Sequence, residues 1–149
     1  MATGTYQIEL DLPIEDIWNF VKDMDNWAPL VPNYLTHEKL TERQSTWEFL
    51  SEIGLIKKKI SLIIDINEWE EPTKIGFTLK GKSEKYHGSG YFQAQPLQNN
   101  RTKLQGYLEV AANGKMRHIV NSKLETELPK AVKEMGQGIT EKLWKLKKV

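Results

Sequence analysis

From Lys59 onward, Ile60, Leu62, Ile64 and Ile66 alternate with Ser61, Ile63, Asp65 and Asn67. Period two is the mark of a strand with one buried face, because successive side chains point to opposite sides of a pleated backbone. The same period recurs along the middle of the chain. Trp47, Phe49, Ser51 and Ile53 stand together against Glu48 and Glu52, and Ile75, Phe77 and Leu79 share a face. Tyr86, Gly88, Gly90, Phe92 and Ala94 form a further set, as do Thr102, Leu104, Gly106, Leu108 and Val110. Turn signals in EEPTK, KGKSE and QNNRT separate the runs. The pattern predicts an antiparallel meander of five strands, with two more over TYQIELDL and NYLTHEKL. Lys57, Lys58 and Lys59 follow Gly54 at a hairpin turn, where solvation is their default role.

Helical spacing appears in three places. After Pro13, Ile14, Ile17, Trp18 and Val21 fall on one stripe, with Glu15 and Asp16 near the positive end of the helix. A short second helix is expected around DNWAPLV, limited by Pro29 and Pro32. The last helix is the long one. Met116, Ile119, Val120, Leu124, Leu128, Val132, Met135, Ile139, Leu143 and Leu146 recur mostly at threes and fours from Gly114 on. Pro129 inside that pattern predicts a kink or a split, and Gly136 and Gly138 weaken it.

The order is therefore β-α-α-β6-α in a single domain over 1–149, an α+β chain. A curved sheet wrapping one long helix leaves a gap between them, and that gap is a natural apolar pocket. The inward sets name its expected lining. On the strands these are Trp47, Phe49, Leu62, Ile64, Phe77, Leu79, Tyr86, Phe92, Leu104 and Leu108; on the helix, Val120, Leu124 and Leu128. The inner-face aromatics serve equally as plain core. Trp18, Trp27 and Tyr34 fall near the expected mouth, as gates or as packing for the short helices.

Little in the chain suggests catalysis. There is no cysteine, hence no disulfide, thiolate ligand or thiol nucleophile, and a reducing cytoplasm suits such a chain. His37, His87 and His118 include no pair with metal-ligand spacing, so neither metal nor other cofactor is expected. His118, near the start of the long helix, is a candidate acid or base, although a surface position fits it better. Ser89 lies between Gly88 and Gly90 in mid-strand rather than at a strand-to-helix elbow, and these glycines read as sites of sheet bending or close backbone approach. Glu84 shares the parity of Tyr86 and, with Ser51 and Tyr86, is a candidate to orient a polar ligand group. The N-terminus lacks the basic patch and apolar block of a signal peptide, and no apolar run approaches a membrane span.

The net charge of +1 is unevenly placed, with more basic than acidic residues from Gly114 onward. The end, EKLWKLKKV, is basic and amphipathic: Lys142, Lys145, Lys147 and Lys148 surround Leu143, Trp144 and Leu146. Such a segment can touch anionic lipid weakly, while lysines at a helix C-terminus also complement the dipole. No aromatic-basic platform for nucleic acid is evident, and none is expected as a partner.

The stretches LPIEDIWNFVKDMDNWAPLVPN, GLIKKKISLIIDINEWEEPTKIGFTLKG and GSGYFQAQPLQNNRTKLQGYLEVAANGKMRHIV resemble the START-like (SRPBCC) superfamily, which includes polyketide cyclases. Within it they look most like the G-subunit family of carbon monoxide dehydrogenase. The resemblance implies a helix-grip fold, with a curved seven-stranded antiparallel sheet around the C-terminal helix and two short helices after the first strand. It also implies that the chain binds a small lipophilic molecule, such as a lipid, quinone or polyketide-like compound, rather than acting as an enzyme. Two alternatives are an accessory that helps mature or tether a redox enzyme, and a cyclase or dehydratase. The family commonly has Pro-Gly where this chain has Pro32-Asn33, a change in the loop at the pocket mouth.

Overall fold

Residues Ala2–Leu10 form the first strand, β1. Two short helices follow, α1 over Ile14–Val21 and α2 over Met24–Trp27, then a 3-10 turn over Ala28–Leu30. Six strands come next: β2 Tyr34–Lys39, β3 Gln44–Ile53, β4 Ile56–Glu70, β5 Lys74–Gly81, β6 Tyr86–Pro96 and β7 Thr102–Ala112. The chain closes with α3, Arg117–Lys147. The computed structural model describes residues 1–53, 56–82 and 85–147. The expected roles of Glu84 and Lys148 lie outside the described residues, as do the side chains of Ser51, Lys57 and Lys147.

All seven strands join one antiparallel sheet in the order β1-β7-β6-β5-β4-β3-β2. The register brings the inward sets opposite one another: Ile64 faces Leu79, Ile66 faces Phe77, and Ile75 faces Phe92. This is the expected helix-grip arrangement, and alternation predicts it because one sheet face is buried throughout. Gly88 and Gly90 sit where a Cβ would stand 2.1 Å and 2.5 Å from the carbonyl oxygens of Glu109 and Tyr107 on β7, so close approach of the neighbouring backbone requires glycine.

The last helix departs from expectation at three points. Of the kink or split expected at Pro129, the split does not occur: α3 is continuous. Pro129 and Glu125 are both exposed, so the carbonyl that loses its helical donor faces solvent. Met116 and Ile119 are 55 % and 56 % exposed rather than part of the buried stripe. Met116 precedes the helix, and Ile119 belongs to the face that carries Lys123, Thr126 and Lys130. Leu146 is likewise exposed, at 61 %. The buried stripe runs Val120, Leu128, Val132, Ile139, Leu143, with Leu124 and Met135 half-buried along it.

α3 packs on β1 and β7, at one side of the sheet, and touches the 3-10 turn. Its contact depends on two glycines and one tyrosine. A Cβ on Gly136 would stand 2.7 Å from Cγ of Tyr6, and a Cβ on Gly106 of β7 would stand 2.4 Å from its Cε1. The Tyr6 ring therefore fills a slot between sheet and helix that only glycine leaves open. Its hydroxyl is buried with no hydrogen-bond partner among the described residues, and burial pushes its pKa up. An unpaired buried hydroxyl opposes folding, so Tyr6→Phe is expected to stabilise the protein by about 1 kcal/mol at neutral pH in urea titrations. The benefit of keeping the phenol neutral is complete below its ordinary pKa of about 10 and is lost as pH rises toward the raised folded value. The wild type should therefore lose stability more steeply than Tyr6→Phe above about pH 10, by up to about 1.4 kcal/mol per pH unit.

Candidate functional site

α3 packs on β1 and β7 and stands off the remaining strands, which leaves space between them and the helix. There a cavity of about 560 Å³ lies between β3–β6 and the N-terminal half of α3. Trp47 and Phe49 of β3, Ile60, Leu62 and Ile64 of β4, and Phe77 and Leu79 of β5 line it from the sheet. Tyr86 of β6 and Leu108 of β7 extend that wall, and Val120, Leu124 and Leu128 face it from the helix. These strand residues meet because they share parity on paired strands, as in the pairs Trp47–Leu62 and Ile64–Leu79.

Two residues named from the sequence lie elsewhere. Phe92 and Leu104 are buried, at 4 % and 0 %, but they are not in the cavity wall. They point inward, as alternation predicts, at the end of the sheet where α1 packs against β6 and β7. There they are plain core. Phe92 stands behind Trp27, edge to face with ring centroids 4.9 Å apart.

Trp27 closes the inner end of the cavity. It is 2 % exposed, lies 5.4 Å from the Trp47 ring and 6.0 Å from that of Phe77, and donates from Nε1 to the Val21 carbonyl at 2.9 Å. It is wall rather than gate. Trp18 is at neither mouth nor wall: it packs edge-on to Trp69 at 5.3 Å and donates to Glu71 at 2.8 Å.

A polar clamp holds this wall from outside. Asp23 caps α2 by accepting from the Asp25 amide at 3.0 Å. His37 Nε2 meets Asp25 Oδ1 at 2.6 Å, and its Nδ1 meets the Tyr34 hydroxyl. Lys39 Nζ reaches Asp23 and Asp25, each at 3.1 Å. The hydrogen bonds from His37 and Lys39 hold the Asp25 carboxyl below its usual range. Tyr34 thus ties β2 to α2 rather than gating the cavity. The sequence signal is His37 and Lys39 two apart on one strand face opposite an acidic helix start; only the tertiary fold brings them together.

At the rim stand Asn33, Lys123 and Glu127, all exposed. Asn33 takes φ 64°, a left-handed conformation that asparagine tolerates better than most residues, so it supplies the turn that glycine makes in Pro-Gly. Tyr86 is the hydroxyl of the inner wall, and burial raises its pKa. His118 is exposed in the first turn of α3, outside the cavity wall. No group of His, Cys, Asp and Glu among the described residues could hold a metal ion, and no described helix is long and apolar enough to cross a membrane.

Sheet, long helix and intervening chamber together define a helix-grip protein. The whole fold recurs in a conserved protein from Geobacillus kaustophilus, 18% identical, with a TM-score of 0.79 over 96% of this chain and 95% of that one. It recurs in a START superfamily protein from Mycobacterium smegmatis, also 18% identical, with a TM-score of 0.73 over 98% and 99%. The Zhui aromatase/cyclase from Streptomyces sp. R1128 is similar at a TM-score of 0.56 and 13% identity, over 91% and 92%. No curated protein matches the sequence significantly. A protein-family model matches residues 1–147, and the fold is the one seen in the START superfamily protein from Mycobacterium smegmatis.

Proposed function

We propose that the protein binds and carries a small lipophilic molecule, such as a lipid, a quinone or a polyketide-like aromatic, in the cavity between sheet and α3. The observation that carries this reading is an apolar, aromatic-rich wall around about 560 Å³. That volume falls in the usual range of small-molecule sites, about 300–1,000 Å³. Burial of apolar ligand surface would supply affinity at about 25 cal/mol per Å², less the costs of association. Tyr86, kept neutral, offers one hydroxyl to a polar group of the ligand.

Native mass spectrometry on protein purified without detergent tests this, with an organic extract analysed in parallel. A stoichiometric adduct that reappears in the extract as a lipophilic compound is expected. Leu124→Trp, which fills the cavity from the helix, should lose the adduct and keep its circular dichroism. A bare mass that stays bare after challenge with lipids, quinones and aromatic polyketides would overturn the reading.

The aromatase/cyclase likeness favours one alternative, in which the chamber folds a reactive polyketone and Tyr86 orients it; Tyr86→Phe would then abolish turnover and spare binding. The finer sequence likeness to the G-subunit family of carbon monoxide dehydrogenase favours another, an accessory of a redox enzyme. Trp144 and Leu146, 43 % and 61 % exposed at the end of α3, would be the surface to alter in a pull-down of that enzyme.

A further inference from the structure

Antiparallel topology gathers four segments at one end of the sheet. They are the loop before β2, the end of the β3–β4 hairpin, the β5–β6 turn and the junction of β7 with α3. Asn33, Lys123 and Glu127, the exposed polar residues of the cavity lining, lie at this end. Lys82 and Lys85 of the turn and Lys115 and Arg117 of the junction are exposed, and no carboxylate among the described residues pairs with them. Arg117 donates to the Gly114 carbonyl of its own turn. Lys58, exposed as well, shares the face of Ile60, which lines the cavity. Beside these cations stand Met116 and Ile119, more than half exposed. Glu127 is the described acid of the rim.

We propose that this open end of the grip docks on an anionic lipid bilayer. Met116 and Ile119 enter the interfacial layer, and Lys58, Lys82, Lys85, Lys115 and Arg117 face the headgroups. Cations flanking exposed apolar side chains are the pairing that a charged membrane surface rewards. The opposite end, with its basic helix terminus, is less suited. Lys142 and Lys145 border a groove shared with Asp16 and Asp25, whose charges offset theirs. The docked cavity mouth would face the lipid, whatever the cavity holds.

The chain has no cysteine, so a single one can be labelled cleanly. Ile119→Cys and Lys145→Cys would each carry an environment-sensitive fluorophore, titrated with vesicles of phosphatidylcholine alone or mixed with phosphatidylglycerol. A blue shift at position 119 with the anionic vesicles only, and none at 145, is expected. Lys82→Gln, Lys85→Gln and Arg117→Gln together should weaken binding about a hundredfold at low salt, since each basic residue contributes about fivefold. These exposed substitutions should leave the melting temperature unchanged. Absence of a shift at 119, a shift at 145 alone, or saturable binding of RNA with none to vesicles would overturn the proposal. Cavity occupancy is read separately, by native mass in solution, so either idea can fail without the other.

Discussion

Replacing Trp27 by alanine should lower the unfolding free energy by about 3–5 kcal/mol, the usual cost of deleting a large buried aromatic. The ring is 2 % exposed and contacts Trp47, Phe77 and Phe92, each of which would lose a face. The Val21 carbonyl would also lose its donor. Domains of this kind have about 5–15 kcal/mol in all, so urea titration should show a large drop in midpoint. Trp27→Phe should cost less, because it keeps an aromatic face and loses chiefly the hydrogen bond, about 1–3 kcal/mol. A loss below about 1 kcal/mol for the alanine variant would mean that the chamber's inner end repacks easily, and that Trp27 is not what closes it.

Gly136→Ala should destabilise the protein by about 1–3 kcal/mol, although alanine is the better helix former. The new methyl would stand 2.7 Å from Tyr6 Cγ, and the other side of that ring is held against Gly106. Neither neighbour can retreat without moving a strand or the helix. The sign should reverse when the ring is removed. In a Tyr6→Ala background the same substitution should be neutral or stabilising by up to about 1 kcal/mol, since only helix propensity remains. The difference between the two backgrounds is the coupling energy of the slot. Equal effects in both would show that Tyr6 and Gly136 do not constrain each other.

The sheet is legible in the sequence because the inward faces alternate along β3, along β4 as far as Ile66, and along β5, β6 and β7, which is what a one-sided sheet imposes; a bulge between Ile66 and Glu68 then shifts the inward parity to Trp69. Alternation says which side a residue faces, not what lies opposite. Phe92 and Leu104 have the same parity as Leu79 and Leu108 on their paired strands, yet Phe92 packs on Trp27 and Leu104 is fully buried, while Leu79 and Leu108 border the chamber. The helix stripe is legible for the same reason, except at its two ends, where Met116 precedes the helix and Leu146 in its last turn is exposed. Pro129 is carried inside α3 without a split because its cost depends on whether the freed carbonyl can reach water, and that is set by orientation. Trp27 is hard to place beforehand: it sits in four helical residues followed by a proline-bearing turn, too short for periodicity to speak. The clamp of Asp25 with His37 spans twelve residues and forms only when β2 has taken its place at the sheet edge.

The two halves of α3 answer to different demands. The half around Gly136 is locked to β1 and β7 through Tyr6, while Val120 and Leu124 touch the chamber. Substitution at those two positions can reshape the chamber without disturbing the lock. A fold divided this way can change the shape of its chamber while its scaffold stays as it is.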